Sequence, residues 1–352
     1  MIREALSLVQ IVGHIRGPAA RKFVILGCES GRCRLEMIMG KPMQKIITFY
    51  PNDPCPCESG KLLCDCHMGP DGRFWNPRPL LRAPGQPTGY AHPGCYLRGT
   101  NDCSHQISRE HYVSKSVLKQ LGDLLGVTGL PRQDTDAVLK TTARSLTAKI
   151  LCQRHNSALS PLDTEAATFF HHLAESIDDL NRKTLSRRRR IHLVNGEALE
   201  LWMLKLACGL YFSVGSKGGK RIDKTHSIDL GKVGRALFEG KWDPCAGLYF
   251  QGVFGGKATD ASYVAIGPVT VEQIPRCTGA IAFFNGFIFE LLFDTKEVDP
   301  GPRWGLVHRP GEIVLAKKQR EHRLFLTWPA GTPEASVTLR RDWWRLPHGQ
   351  ET

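Results

Sequence analysis

The chain has 352 residues, 41% of them hydrophobic and 23% charged. That is too long for one typical domain core and too apolar for a disordered chain, so two or three folded units are expected. No run of 18 or more apolar residues appears, which excludes an ordinary membrane-spanning helix, and the N-terminal stretch is interrupted by Arg3, Glu4, His14 and Arg16, so no signal peptide is read and a cytoplasmic location is expected. Forty-seven Lys and Arg against 34 Asp and Glu give a net charge of +13, a surplus that favours a polyanion partner, DNA first and RNA second, and gives no reason to expect a membrane.

Taken in chain order, residues 1–50 carry short apolar runs (Phe23–Leu26, Lys45–Tyr50) and read as a small strand-bearing lead-in. Residues 51–75 are rich in Pro, Gly and Cys and have no apolar period, so a metal or partner must order them. Residues 76–93, with "RPLLRAPGQPTGYAHPG", read as a linker. Residues 94–180 mix strand and helix: helical spacing at Val117, Leu118, Leu121, Leu124 and Leu125, a polar excursion with a short helix over "PRQDTDAVLKTTARSL", a strand at "TAKILC", and a helix expected to start with Ser160 as N-cap and Pro161 at its first position. That helix presents Leu162, Ala166, Phe169, Phe170, Leu173 and Ile177 on one face, and His171 and His172 read as face residues. Residues 181–245 hold a basic run and a helical connector, including the buried-helix pattern "EALELWMLKLACGLYFSVG"; residues 246–352 carry β-type runs such as "AGLYFQGVF", "SYVAIGPVTV", "GAIAFFNGFIFELLF", "GEIVLAK" and "RLFLTW" and read as a β-rich domain of unknown role. The fold class expected is α+β.

Seven of the 12 cysteines lie between residues 55 and 152. In a reducing compartment such clusters are metal ligands. Zinc takes four soft or borderline ligands in a tetrahedron. In "PCPCESGKLLCDCHMGP", Cys55, Cys57, Cys66 and His67 supply such a set, with "ESGK" as the turn and Cys64 spare. This stretch resembles the SEC-C motif, a small zinc-binding module with the pattern C-x-C-x8-C-(C/H). The resemblance implies zinc and an interaction role, with a protein partner, and no reaction.

A second constellation lies in "GCYLRGTNDCSHQISREHYVSKSVL" and "LTAKILCQRHNSALSPLD". His111 is a candidate general base, since neutral imidazole accepts a proton near pH 7. Glu110, beside it, offers a hard oxygen for Mg²⁺ or Mn²⁺, and Asn156 offers an amide oxygen for the same ion. Cys95, Cys103, Cys152 and His155 make a closed, structural zinc set. "REHYVSKSVL … ILCQRHNSALS" resembles the HNH, or His-Me finger, nuclease motif over roughly residues 94–175. The resemblance implies a zinc-stapled ββα-metal fold, Glu110 and Asn156 as catalytic-metal ligands and His111 as the base for hydrolysis of DNA. The first knuckle, Cys-x7-Cys, is longer than the family's usual Cys-x2-Cys, so His92 or His105 remains an alternative ligand. The second ends in His155 where Cys is commoner, and the middle Asn of the motif has no counterpart in "ARSLTAKILC". Asp163, further along the helix, is a reserve metal ligand. The alternative reading is a catalytically inactive zinc-binding adaptor for nucleic acid or protein.

Arg187, Arg188, Arg189 and Arg190 end a basic run next to this constellation and are candidates for DNA contact, with Lys217, Lys220 and Arg221 extending the surface. Phe325, Trp328, Trp343 and Trp344 read as core, and Cys208, Cys245 and Cys277 as ordinary buried thiols.

Overall fold

The computed structural model describes residues 9–13, 49–83, 85–120, 123, 125–128, 139–182, 190–213, 222–224, 226–252, 263–271, 275–284, 287–295, 306–317, 320–329 and 336–340. Phe23–Leu26, Trp343 and Trp344 lie outside them. The first half of the chain gives β1 (Val9–Gly13), β2 (Ile107–His111), α1 (Lys115–Lys119), β3 (Leu125–Thr128), β4 (Leu139–Thr141), β5 (Thr147–Cys152), α2 (Gln153–Asn181), β6 (Ile191–Asn195) and α3 (Gly196–Ser213). The second gives α4 (Leu230–Glu239), β7 (Gly247–Gly252), β8 (Tyr263–Val271), β9 (Arg276–Phe284), β10 (Phe287–Leu292), β11 (Leu306–His308), β12 (Glu312–Lys317), β13 (Arg320–Thr327) and β14 (Ser336–Arg340). None of the described helices is long and apolar enough to cross a membrane.

The arrangement is mixed α and β with a β-rich C-terminal region. An eight-stranded sheet runs in the order β11-β7-β10-β9-β8-β1-β3-β4, a four-stranded one in the order β14-β12-β13-β6, and β2 and β5 pair alone. The large sheet draws on three separate stretches: β1 pairs antiparallel with β8 on one side and with β3 on the other. The small sheet likewise takes β6 parallel to β13. One apolar core cluster accordingly runs from Leu81 to Trp328.

α3 explains how the layers are joined. Its apolar residues go all round, the pattern of a buried helix, and Leu199, Leu201, Trp202, Leu204, Leu206 and Leu210 are all buried. It packs against α2, β5 and the large sheet. Asn195 caps it, its Oδ1 accepting from Ala198 N at 3.0 Å. Its buried Glu200 takes both guanidinium contacts of Arg309 at 2.8 Å and accepts from Leu248 N at 2.8 Å, tying the helix to β7. Gly209 is required by a close approach: a Cβ there would stand 2.9 Å from the backbone of Tyr112, one residue after β2.

The α2 expectation needs correcting. The helix starts at Gln153, seven residues before Ser160, and Pro161 lies inside it. Cys152 is the N-cap, its sulfur accepting from His155 N at 3.5 Å. An interior proline costs about 3 kcal/mol, and the buried face of Leu159, Leu162, Ala166, Phe169, Phe170, Leu173 and Ile177 outweighs it. Of the polar excursion, the described residues form β4 and a short 3-10 turn at Ala143–Ser145, and residues 131–138 lie outside them.

Residues 76–93 are tied to the body. Arg78 donates to the carbonyls of Ala236 and Leu237 at 2.7 and 2.9 Å, closing the C-terminus of α4, and pairs with Glu197 at 3.1 Å. Gly240, at φ +67°, follows α4, and a Cβ there would collide with that guanidinium.

Candidate metal centres and active site

β2 and β5 form an antiparallel pair with a register shift between Ser108 and Glu110, and α2 continues from β5 without a break. This ββα unit gathers Cys95, Cys103, Cys152 and His155, all buried, with ligand atoms within 4.8 Å of one another. His155 Nδ1 stands 3.5, 3.7 and 3.2 Å from the sulfurs of Cys95, Cys103 and Cys152. A tetrahedron with zinc–sulfur bonds of about 2.3 Å and zinc–nitrogen bonds of about 2.0 Å has edges of roughly 3.5 to 3.8 Å. The set therefore fits a zinc ion. With a cation on Nδ1, Nε2 carries the proton and faces Thr100 Oγ1 at 3.0 Å, and that hydroxyl donates to Leu97 O at 2.9 Å.

Burial pushes the Cys95 thiol up to about 12. It opposes ionisation of Cys152 as well, but the backbone N–H groups of His155 and Ser104 donate to that sulfur and hold its pKa below the usual thiol value. A bound cation would deprotonate the buried thiols outright. The alternatives His92 and His105 are outside the set: His92 Nδ1 accepts from Gly94 N at 3.0 Å, and the His105 ring stacks on Tyr90 with centroids 4.3 Å apart.

The second cluster is Cys55, Cys57, Cys66 and His67, again within 4.8 Å. His67 Nδ1 lies 3.2 Å from Cys55 Sγ and 3.1 Å from Cys66 Sγ, with Cys57 and Cys66 sulfurs 3.4 Å apart. Ser59, in the turn, puts its hydroxyl 3.1 and 3.3 Å from the sulfurs of Cys57 and Cys66. Cys64 is exposed and outside the set. This knot packs on the body through Leu63, Phe74 and Leu193, with Phe325 of β13 in ring contact with Phe49 and Phe74. Phe325 is thus half-buried under the knot, while Trp328 is core.

His111 ends β2 with the backbone carbonyl of Ala143 near the ring, and among the described residues its buried Nε2 has no hydrogen-bond partner. Burial lowers its pKa, and Lys115 and Lys205 add to the effect, so the ring is neutral near pH 7. Glu110 is buried, and burial pushes its carboxyl up against the opposing pull of Lys205. Lys205 of α3 sits 2.7 Å from Glu110 Oε1 and 2.7 Å from Asp163 Oδ2, its side chain 5% exposed. Ser114 donates to Asp163 Oδ1 and accepts from Trp202 Nε1 at 2.6 Å. The residue of α2 joined to Glu110 is therefore the reserve ligand Asp163. Asn156 stands half-buried on the same face, about 10 Å back along the helix. Sequence reasoning missed Lys205, whose only signal was a charge in a helix that, beyond Glu197 and Glu200, is largely apolar.

Arg187, Arg188, Arg189, Lys217, Lys220 and Arg221 lie outside the described residues. Arg190 is half-buried and ion-paired with Glu175, and its N–H donates to His322 Nδ1 at 2.9 Å. Cys208 and Cys277 are buried, whereas Cys245 is exposed at φ 59° in the turn before β7, which corrects the expectation for it. A third group of ligand-bearing side chains, His172, Glu175 and His192, also comes together. Compared with family models, curated proteins and solved structures, the chain gives no match.

Proposed function

We propose that the chain is an HNH-type endonuclease that hydrolyses phosphodiester bonds in DNA. One observation carries the reading. His111 ends β2 of a β2–β5 pair that the buried Cys/His cluster flanks, and its buried Nε2 has no hydrogen-bond partner among the described residues, with Asp163 and Lys205 in electrostatic reach of the ring. A neutral imidazole with a bare nitrogen can take a proton from water. The hard-oxygen pair Glu110 and Asp163 would hold Mg²⁺ or Mn²⁺ in place of the expected pair Glu110 and Asn156, and Lys205 already stands between the two carboxylates as a cation. When bound there, the ion supplies polarisation of the phosphate and neutralises charge on the leaving 3′-oxygen. The net charge of +13 and the arginines at 187–189 would draw and hold the backbone, while Arg190 is engaged by Glu175. The zinc knot fits the SEC-C reading: among the described residues, the exposed large hydrophobics Tyr50, Leu62, Trp75 and Leu80 all belong to it or its flanks, a surface for a protein partner. Free thiols at this density suit the reducing cytoplasm.

The test is nicking of supercoiled plasmid in Mg²⁺ or Mn²⁺. The wild type should cut, EDTA should stop it, and His111→Ala should lose about 10²-fold or more. Equal cutting by His111→Ala would refute the assignment of the base. A second reading rests on Lys205 itself: an ammonium fixed between Glu110 and Asp163 takes the cation's place and leaves a nucleic-acid or protein adaptor without catalysis. DNA binding with no nicking in either ion would favour it.

A further inference from the structure

α2 carries, beyond the zinc and nuclease residues, a group that neither uses. His172 and Glu175 lie three residues apart and so share a helix face. They are nine residues or more beyond Asp163, about half a turn around α2 from it. β6 brings His192 to the same place, with its ring stacked on His172 at a centroid separation of 4.0 Å and 19° between planes. One ligand atom from each of the three lies within 4.8 Å of the others.

The hydrogen bonding of the neighbouring imidazole makes this group unusual. His322 is as deeply buried as His192, and both its nitrogens are used: Nδ1 accepts from Arg190 N, and Nε2 meets Asp179 Oδ2 at 2.9 Å. His192 is 4% exposed, and among the described residues neither of its nitrogens has a partner; Nδ1 of His172 has none there either. Buried polar groups left unpaired are destabilising, so native structures pair nearly all of them. One orphaned nitrogen from each of the two rings, beside a carboxylate, is what a single metal ion would take up.

The geometry points to a third metal site, in which His172, Glu175 and His192 bind a divalent transition cation of the zinc or iron(II) class. Two imidazoles and one carboxylate form a borderline N₂O donor set that suits such ions better than Mg²⁺ or Ca²⁺. Three protein ligands leave at least one coordination position open, unlike the two closed four-ligand clusters. Arg190, paired with Oε1 of Glu175, orients the carboxylate, which has lone pairs to spare for the cation. The ion would clamp α2 to β6, beside the strand on which the knot packs.

The test uses the full chain, loaded with two equivalents of zinc so that the two tighter thiolate clusters are filled, then titrated with Co²⁺. Expected is a further equivalent whose spectrum shows d–d bands without a thiolate charge-transfer band. His192→Ala and His172→Ala should each weaken its binding at least tenfold, as should Glu175→Gln, which keeps the side chain's shape if the alanine variants fold poorly. His171→Ala, at the exposed neighbour, should bind as the wild type does. Absence of the further equivalent in the wild type, its survival in the His192, His172 and Glu175 variants, equal loss in His171→Ala, or thiolate charge transfer accompanying it would each overturn the site.

Discussion

The two cysteine clusters have the same donor chemistry and opposite surroundings. Cys95, Cys103, Cys152 and His155 are buried on all four members, and their cysteines belong to the core that runs from Leu81 to Trp328. Cys55, Cys57, Cys66 and His67 have one buried member and three half-buried ones, and share a small core of Cys55, Leu63, Phe74 and Leu193. In the first cluster the sulfur of Cys152 also caps a 29-residue helix, so metal binding and helix nucleation fall on one residue. In the second the ligands order a loop that rests on β6 and β13. A metal in the first place is part of global folding; in the second it holds an attachment.

The contrast predicts a graded response. Cys152→Ala should cost more than about 4 kcal/mol, the range reached when a structural metal and a cap are lost together, and should release one zinc and abolish the cooperative melt of the body. Cys57→Ser should also release one zinc but cost only about 1–2 kcal/mol, leaving the body's melt in place. Similar destabilisation by the two variants, read by thermal melting and elemental analysis, would break the comparison. Thr100→Val is the mildest probe of the buried cluster. It removes the acceptor for His155 Nε2 and should weaken zinc about 10- to 100-fold in chelator competition.

Both ligand sets were legible because zinc chemistry constrains residue type and spacing over short distances. Cys55, Cys57, Cys66 and His67 span 13 positions, and the knuckle at Cys152 and His155 spans four. The strands of the C-terminal region were legible from their apolar runs, although "GAIAFFNGFIFELLF" is two strands, β9 and β10, pairing at Phe284 and Phe287 on either side of an Asn-Gly pair, a strong hairpin signal. The pairing of β1 with β3 and β8 was not legible, since contacts over more than a hundred residues leave no local mark. The start of α2 was misplaced because its cap is a sulfur, outside the usual Ser, Thr, Asp and Asn. His172 looked like a face residue because its partner His192 lies 20 positions away on a strand. Lys205 could not be assigned to Glu110 and Asp163 from sequence, since three different elements converge there.

The central claim is that the buried zinc-stapled unit presents Glu110 and His111 to a catalytic cation. Anomalous diffraction from crystals of the full chain soaked in Mn²⁺ locates that ion directly. The account predicts a manganese peak bound to Glu110 and Asp163, with the Lys205 ammonium moved off them and His111 Nε2 facing the ion's water. A map with no manganese there and Lys205 still bridging both carboxylates would contradict it.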